Sequence, residues 1–168
     1  MNFNKAARPV MMGRSGMVSS GHALGSLAGI RVLQDGGNAV DAALAAAFVM
    51  AVVEPEASGP GGDLFALVYM KKTGKVEALN SSGPAPAKAS IEHFRERGLN
   101  GVPTSGPLSV AVPGAVDAWL EVHKKYGTKD LPRLMADALR IAREGFPISR
   151  EFAEAIDEFS SEFPWVDR

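Results

Sequence analysis

Between Ala42 and Val53 the chain carries no polar residue, and on either side of that run apolar positions alternate or repeat at helical spacing. Within it, Leu44, Ala47, Phe48 and Ala51 form a stripe with Val40, and Ala43, Ala46, Met50 and Val53 match them on the opposite side. A helix that is apolar all round is a buried one. A membrane span needs about 20 apolar residues, whereas this run is bracketed by Asp41 and by Glu54 and Glu56. The pattern therefore predicts a central core helix. Asn38 is placed to cap it and Asp41, three residues on, adds a charge that favours the helix start. Pro55 lacks the N–H needed to continue it.

Other segments arrange themselves around this one. Residues 1–16 are polar, contain proline and glycine and lack periodicity, so an irregular lead-in is expected, with residues 17–168 as the folded unit. Met17 to Ser20 is expected as a short strand. His22 to Gln34 follows as a helix, with Leu24, Leu27, Ala28, Ile30 and Leu33 on its apolar side and Gly36-Gly37 as its C-cap. Leu64 to Met70 and Lys75 to Asn80, parted by Lys72-Thr73-Gly74, predict a β-hairpin. Ser90 caps a short helix that Gly98 ends, and Pro107 to Val112 reads as a third strand. Val116, Trp119, Leu120 and His123 then share one helical face up to Gly127. Asp130 caps a helix carrying Leu131, Leu134, Met135, Ala138 and Ile141, and Ser149 caps one carrying Phe152, Ala155, Ile156 and Phe159. The order predicts an α+β fold, with helices packed on a sheet. The apolar cluster Phe163, Pro164 and Trp165 just before Arg168 predicts that the chain is part of something larger.

Composition narrows the functions. With 168 residues the chain can bury about 70% of its unfolded surface. Its 18 basic and 19 acidic residues are interspersed to a net charge of −1, which argues against nucleic acid or an anionic membrane as partner. The absence of cysteine removes disulfides, zinc–thiolate sites and a cysteine nucleophile. The N-terminal stretch has no continuous apolar core of a secretory signal, so a cytoplasmic protein is expected.

Four places carry candidate chemistry. The loop Ser58-Gly59-Pro60-Gly61-Gly62 is glycine-rich, but a phosphate-binding fingerprint follows a strand and opens a helix, the reverse of the order here. It remains either a turn whose glycines take positive φ or admit close backbones, or a substrate-side wall with Asp63 as its polar group. His22, His93 and His123 have no serine or carboxylate at the spacing of a triad, and only His22, next to Gly21 at a helix start, invites attention. Glu54 and Glu56 flank Pro55 as an acid/base pair or as solvated carboxylates. Asn80, Ser81 and Ser82 at a strand end form either a binding edge or a turn. No catalytic constellation is complete.

Three motifs in order, GGNAVDAALAAAFVMAVVEPEASGPGGDLF, LNSSGPAPAKAS and SVAVPGAVDAWLEVHKKYG, resemble the N-terminal part of the γ-glutamyltranspeptidases over residues 17–160, with GGDLF closer to the acylase-like and glutathione hydrolase-like branch. The resemblance implies an N-terminal-nucleophile hydrolase fold, an αββα sandwich of which this chain holds the N-terminal portion. It implies an autocatalytically cleaved zymogen in which the freed N-terminal threonine of a second subunit attacks a γ-glutamyl or other acyl amide, its own α-amine serving as base. No metal or organic cofactor is then expected. Thr73, Thr104 and Thr128 lie outside the family's cleavage context, so catalytic residues are expected in the partner, the C-terminal remainder or small subunit, and this chain alone should be inactive. The family's arginine clamp for the substrate carboxylate precedes an Ala-Pro pair equivalent to Ala85-Pro86, at position 84 or 82, where this sequence has Pro84 and Ser82. Asp63, Asn80, Ser81, Ser82 and Pro84 are accordingly the expected substrate-binding wall, with γ-glutamyl specificity open. The competing expectation is a free-standing, non-catalytic scaffold or pseudoenzyme domain for binding or assembly.

Overall fold

The computed structural model describes residues 10–162, which form α1 (Ala23–Gln34), α2 (Ala39–Val53), β1 (Phe65–Met70), β2 (Lys75–Asn80), α3 (Ile91–Arg95), α4 (Ala115–Tyr126), α5 (Leu131–Glu144) and α6 (Arg150–Glu162). Helix α2 is the axis of the core, packed against α1, α4 and α5. Ala42, Leu44, Ala45, Ala46, Phe48, Val49 and Val53 are all buried on it, as the apolar run predicts. Val32 of α1, Val122 of α4 and Leu134, Ala138 and Ile141 of α5 close around them. Full burial of one such Val, Leu or Ile stabilises by about 1.5–3 kcal/mol.

The start of α2 is fixed by a reciprocal cap. The Asn38 side-chain oxygen accepts from Val40 N at 2.8 Å and Asp41 N at 2.9 Å, and Asp41 Oδ2 accepts from Asn38 N at 2.9 Å. Asp41 is wholly buried and also holds the α4–α5 connection: its carboxylate accepts from Thr128 N at 2.9 Å, Lys129 N at 3.2 Å and the Thr128 hydroxyl. Asn38 Nδ2 adds a bond to the Tyr126 carbonyl at 2.6 Å. Burial alone would raise the Asp41 pKa, but these donors outweigh it and hold the carboxyl below its ordinary 3.8.

β1 and β2 pair antiparallel, with Phe65 opposite Asn80 and Met70 opposite Lys75. Ala66, Val68, Met70 and Leu79 are half-buried, whereas Phe65, Leu67, Tyr69 and Val76 stand on the other face and are 63–77% exposed. An ion pair from Lys125 to Glu77 ties β2 to α4, and the hydrogen bond between them moves the Glu77 pKa down and the Lys125 pKa up.

Three sequence expectations are corrected. Met17 to Ser20 pairs with no strand among the described residues; Val18 packs against Gly29 of α1, and Ser20 Oγ donates to the His22 carbonyl at 2.7 Å. Pro107 to Val112 is turn and extended coil, because the sheet among the described residues has two strands and offers this segment no ladder. Val110 and Val112 remain exposed. The buried face of α4 is Ala115, Ala118, Trp119 and Val122, with Val116 and Leu120 turned outward, since the two alanines admit the close approach to α2 that larger side chains would block. The cluster Phe163, Pro164 and Trp165 lies outside the described residues.

Candidate functional site: a cleft at the glycine loop

Three backbone segments converge beside the C-terminal half of α2. The glycine loop supplies the Gly62 carbonyl, which accepts from Gly114 N at 3.1 Å and Ala115 N at 2.9 Å, so it anchors the start of α4. The end of β2 joins them: Ser81 N donates to the Leu64 carbonyl at 3.0 Å and Ser81 Oγ to the Gly114 carbonyl at 2.8 Å. Glycine at 114 is required by this crossing, because a Cβ there would lie 1.8 Å from the Ser81 carbonyl oxygen. Gly83 is as tightly placed, its virtual Cβ 2.2 Å from the Val112 carbonyl oxygen.

Most of the expected wall meets here. Ser82 Oγ donates to Asp63 Oδ2 at 3.0 Å, and Ser82 N to Asn80 Oδ1 at 2.9 Å, an Asx turn that orients the serine. Asn80, Ser81, Ser82 and Asp63 thus form one cluster across two connections, and Pro84 follows on the exposed side. Beside the cluster a cavity of about 550 Å3 is walled by residues 55–64, Ala47, Ala51, Ala115 and Trp119. Asp63 and Glu56 are its carboxylates, and among the described residues no Lys, Arg or His lines it.

The loop closes a turn, with Gly62 N donating to the Gly59 carbonyl at 3.2 Å, but without the positive φ expected of its glycines. None of Gly59, Gly61 and Gly62 has positive φ. A Cβ on Gly59 or Gly61 would meet nothing within 4 Å, and one on Gly62 only the Gly59 carbonyl at 3.5 Å. Among the described residues neither strain nor packing demands glycine at 59 or 61, where a Cβ would face open space.

His22 and Glu54 are accounted for structurally. His22 caps α1, its Nδ1 accepting from Leu24 N at 3.1 Å, and its ring meets Phe146 edge-on at 6.4 Å. Glu54 lies over Gly21, where a Cβ would sit 2.6 Å from its Oε2, whereas Glu56 lines the cavity. His93 is on α3, and His123 Nε2 is 2.7 Å from the Lys129 carbonyl, where the ring N–H donates. Among the described residues no histidine hydrogen-bonds to the Ser82–Asp63 pair. Among the described residues no group of three or more potential ligands is placed to hold a metal, and no helix is long and apolar enough to cross a membrane.

Sequence reasoning missed the second duty of Asp41 and the position of Trp119. Asp41 was legible as a capping charge, but its long-range partners were not. Trp119 is 8% exposed, meets Phe48 edge-on at 5.3 Å, and is one wall of the cavity. Its indole N–H is buried and without a partner among the described residues.

The sequence profile described as Gamma-glutamyltranspeptidase matches residues 25–166. A glutathione hydrolase proenzyme of Bacillus subtilis is 37% identical over 156 residues, 90% of this chain and 27% of that protein. The crystal structure of the Helicobacter pylori gamma-glutamyltranspeptidase superposes with a TM-score of 0.83 at 36% identity, over 95% of this chain and 46% of that one. A cephalosporin acylase from Bacillus halodurans gives 0.78 at 38% identity, over 99% of this chain and 32% of that one. The chain spans about a quarter of the length of the curated relatives it matches. Motif order, hairpin, core helix and glycine loop agree with these likenesses: the chain belongs to the γ-glutamyltranspeptidase family and corresponds to its N-terminal portion.

Proposed function

We propose that this chain is the scaffold and one wall of the acyl pocket in an amide hydrolase or acyltransferase whose threonine nucleophile is supplied by a separate segment, either a C-terminal remainder or a small subunit. The observation that carries this reading is the glycine loop: among the described residues Gly59 and Gly61 answer no conformational or packing need, yet they line a cavity bordered by Asp63. A backbone kept bare toward open space suits a substrate or partner that must come close. The exposed apolar face of the hairpin, Phe65, Leu67, Tyr69 and Val76, supports a further layer packed on it.

In this reading the chain binds and orients. Asp63, Ser82 and the loop backbone hold the acyl group, Trp119 excludes water from its apolar side, and the incoming threonine hydroxyl attacks the amide carbonyl while its own α-amine takes the proton. The test is expression from the complete reading frame, intact mass, and hydrolysis of acyl p-nitroanilides. Two polypeptides, the second beginning with Thr, and activity abolished by Thr→Ala at that residue are expected. A single uncleaved chain that hydrolyses no acyl amide would refute the proposal.

A further inference from the structure

The end of β2, the glycine loop and the start of α4 are joined in a closed circuit, and one hydroxyl completes it. Ser81 Oγ donates to the Gly114 carbonyl at 2.8 Å, and Gly114 N donates to the Gly62 carbonyl at 3.1 Å. Asp63 follows Gly62 in the chain, and its Oδ2 accepts from Ser82 Oγ at 3.0 Å, which returns the path to Ser81. The Ser81 amide cannot make the closing bond, because it is committed to the Leu64 carbonyl at 3.0 Å. The segments that meet here are fixed at close range. A Cβ on Gly114 would lie 1.8 Å from the Ser81 carbonyl oxygen and 3.0 Å from its Oγ, and one on Gly83 would lie 2.2 Å from the Val112 carbonyl oxygen, so residues 81–83 and 112–114 pass one another in opposite directions.

Within the circuit Asp63 and Ser82 are exposed, whereas Ser81 is half-buried and bonded to Gly114. Removing the Ser81 hydroxyl orphans no acceptor, since the Gly114 carbonyl also accepts from Ala118 N at 3.0 Å in the first turn of α4. A second donor to a carbonyl already paired adds little to stability. Its consequence is geometric: it ties the Ser82–Asp63 pair to the helix that carries Trp119 into the cavity wall.

We infer that Ser81 is a positioning residue: without touching the acyl group, its hydroxyl sets the Ser82–Asp63 pair against the α4 wall and so fixes the geometry in which the acyl carbonyl is presented for attack. This role rests on the acyl-pocket reading above and adds the residue that holds the shape of that pocket. Ser81, expected from the sequence among the substrate contacts, thus acts through Ser82 and Asp63 rather than on the ligand.

Two measurements on the protein from the complete reading frame test it. The first is kinetic: kcat and KM for acyl p-nitroanilides in wild type, S81A, S81T, S82A and S81A/S82A. S81A should lower kcat about tenfold and change KM less than about twofold, as loss of alignment rather than of a contact does. S81T keeps the hydroxyl and should recover most of the rate. S82A opens the same circuit at another bond, so S81A/S82A should be no slower than the slower single variant. Thermal midpoints of S81A and S81T should stay within a few degrees of wild type. The second measurement needs no turnover: by amide hydrogen exchange, Gly114 and Ala115 should exchange about tenfold faster in S81A than in wild type, with the α2 amides unchanged and S81T at the wild-type rate. A wild type that hydrolyses no acyl amide would overturn the acyl-pocket reading and this role together. An active wild type matched in kcat by S81A would overturn the role of Ser81 alone. A loss in S81A that S81T does not recover, effects of S81A and S82A that multiply, or unchanged exchange at Gly114 and Ala115 would overturn it equally.

Discussion

Asp41→Asn is the sharpest test of how this fold is held. The wild-type carboxylate is fully buried and accepts from Asn38 N, Thr128 N, Lys129 N and the Thr128 hydroxyl. Asparagine keeps one oxygen, enough for the Thr128 and Lys129 amides, but turns an NH2 toward the Asn38 N–H and the Thr128 hydroxyl. The hydroxyl can rotate to accept, whereas the Asn38 amide is left facing a donor. Loss of one charge-assisted bond at about 1.5–3 kcal/mol, plus the desolvation of an unpaired amide at about 1–3 kcal/mol, gives a destabilisation of about 2.5–6 kcal/mol. Urea unfolding followed by tryptophan fluorescence measures it, and with a slope of about 2 kcal/mol/M the midpoint should fall by roughly 1.3–3 M. The pH dependence follows from the same bonds. Because the folded-state pKa lies below 3.8, the carboxylate's contribution is fully present above that value and is lost as pH falls through the lower folded-state pKa. The wild type should therefore lose stability steeply below about pH 4, and the variant should lose less over the same interval. A midpoint shift under 0.3 M, or identical acid slopes for the two proteins, would show that Asp41 is not the tie between α2 and the α4–α5 connection.

Other substitutions report on separate parts of the account. Gly114→Ala should reduce thermal stability by several degrees and disturb the cleft, because its Cβ would overlap the Ser81 carbonyl oxygen at 1.8 Å; differential scanning calorimetry reads the shift. Gly59→Ala, by contrast, meets nothing within 4 Å, so it should change stability by less than about 1 kcal/mol while raising the KM of the acyl donor. Leu134→Ala empties a site that is 1% exposed and should cost about 2–5 kcal/mol by chemical denaturation. Leu67→Lys, at a position 77% exposed on the outer hairpin face, should leave the hairpin's own pairing intact yet weaken association with the covering layer, seen as loss of co-purification of the second polypeptide.

Much of the architecture was legible because local signals were strong. The Asn38 cap, the apolar run and Pro55 set α2 to within a residue, and the caps at Ser90, Asp130 and Ser149 start their helices as expected. The hairpin was readable from its alternation and from Gly74, whose φ of 66° the turn requires. What failed was whatever depends on a distant neighbour. Met17 to Ser20 and Pro107 to Val112 have strand-like composition, but composition does not say whether a partner strand is present to complete the ladder. The rotation of α4 was misjudged for a related reason: Val116 and Leu120 are more apolar than Ala115 and Ala118, yet the close crossing with α2 rewards small residues. At the candidate site, residue identities were legible and their convergence was not. Asp63 and Ser82 are far apart in sequence and only the hairpin brings them to 3.0 Å.

The central claim is that the glycine loop, Asp63 and the end of β2 face the acyl group. Photocrosslinking addresses it directly, using the complete protein and an acyl amide that carries a diazirine at its acyl end, with labelled peptides identified by mass spectrometry. The account predicts label within residues 56–63 or 80–84, competed by unlabelled donor and reduced in D63N. Label confined to other segments of this chain or to the partner polypeptide alone, with the protein active, would contradict it.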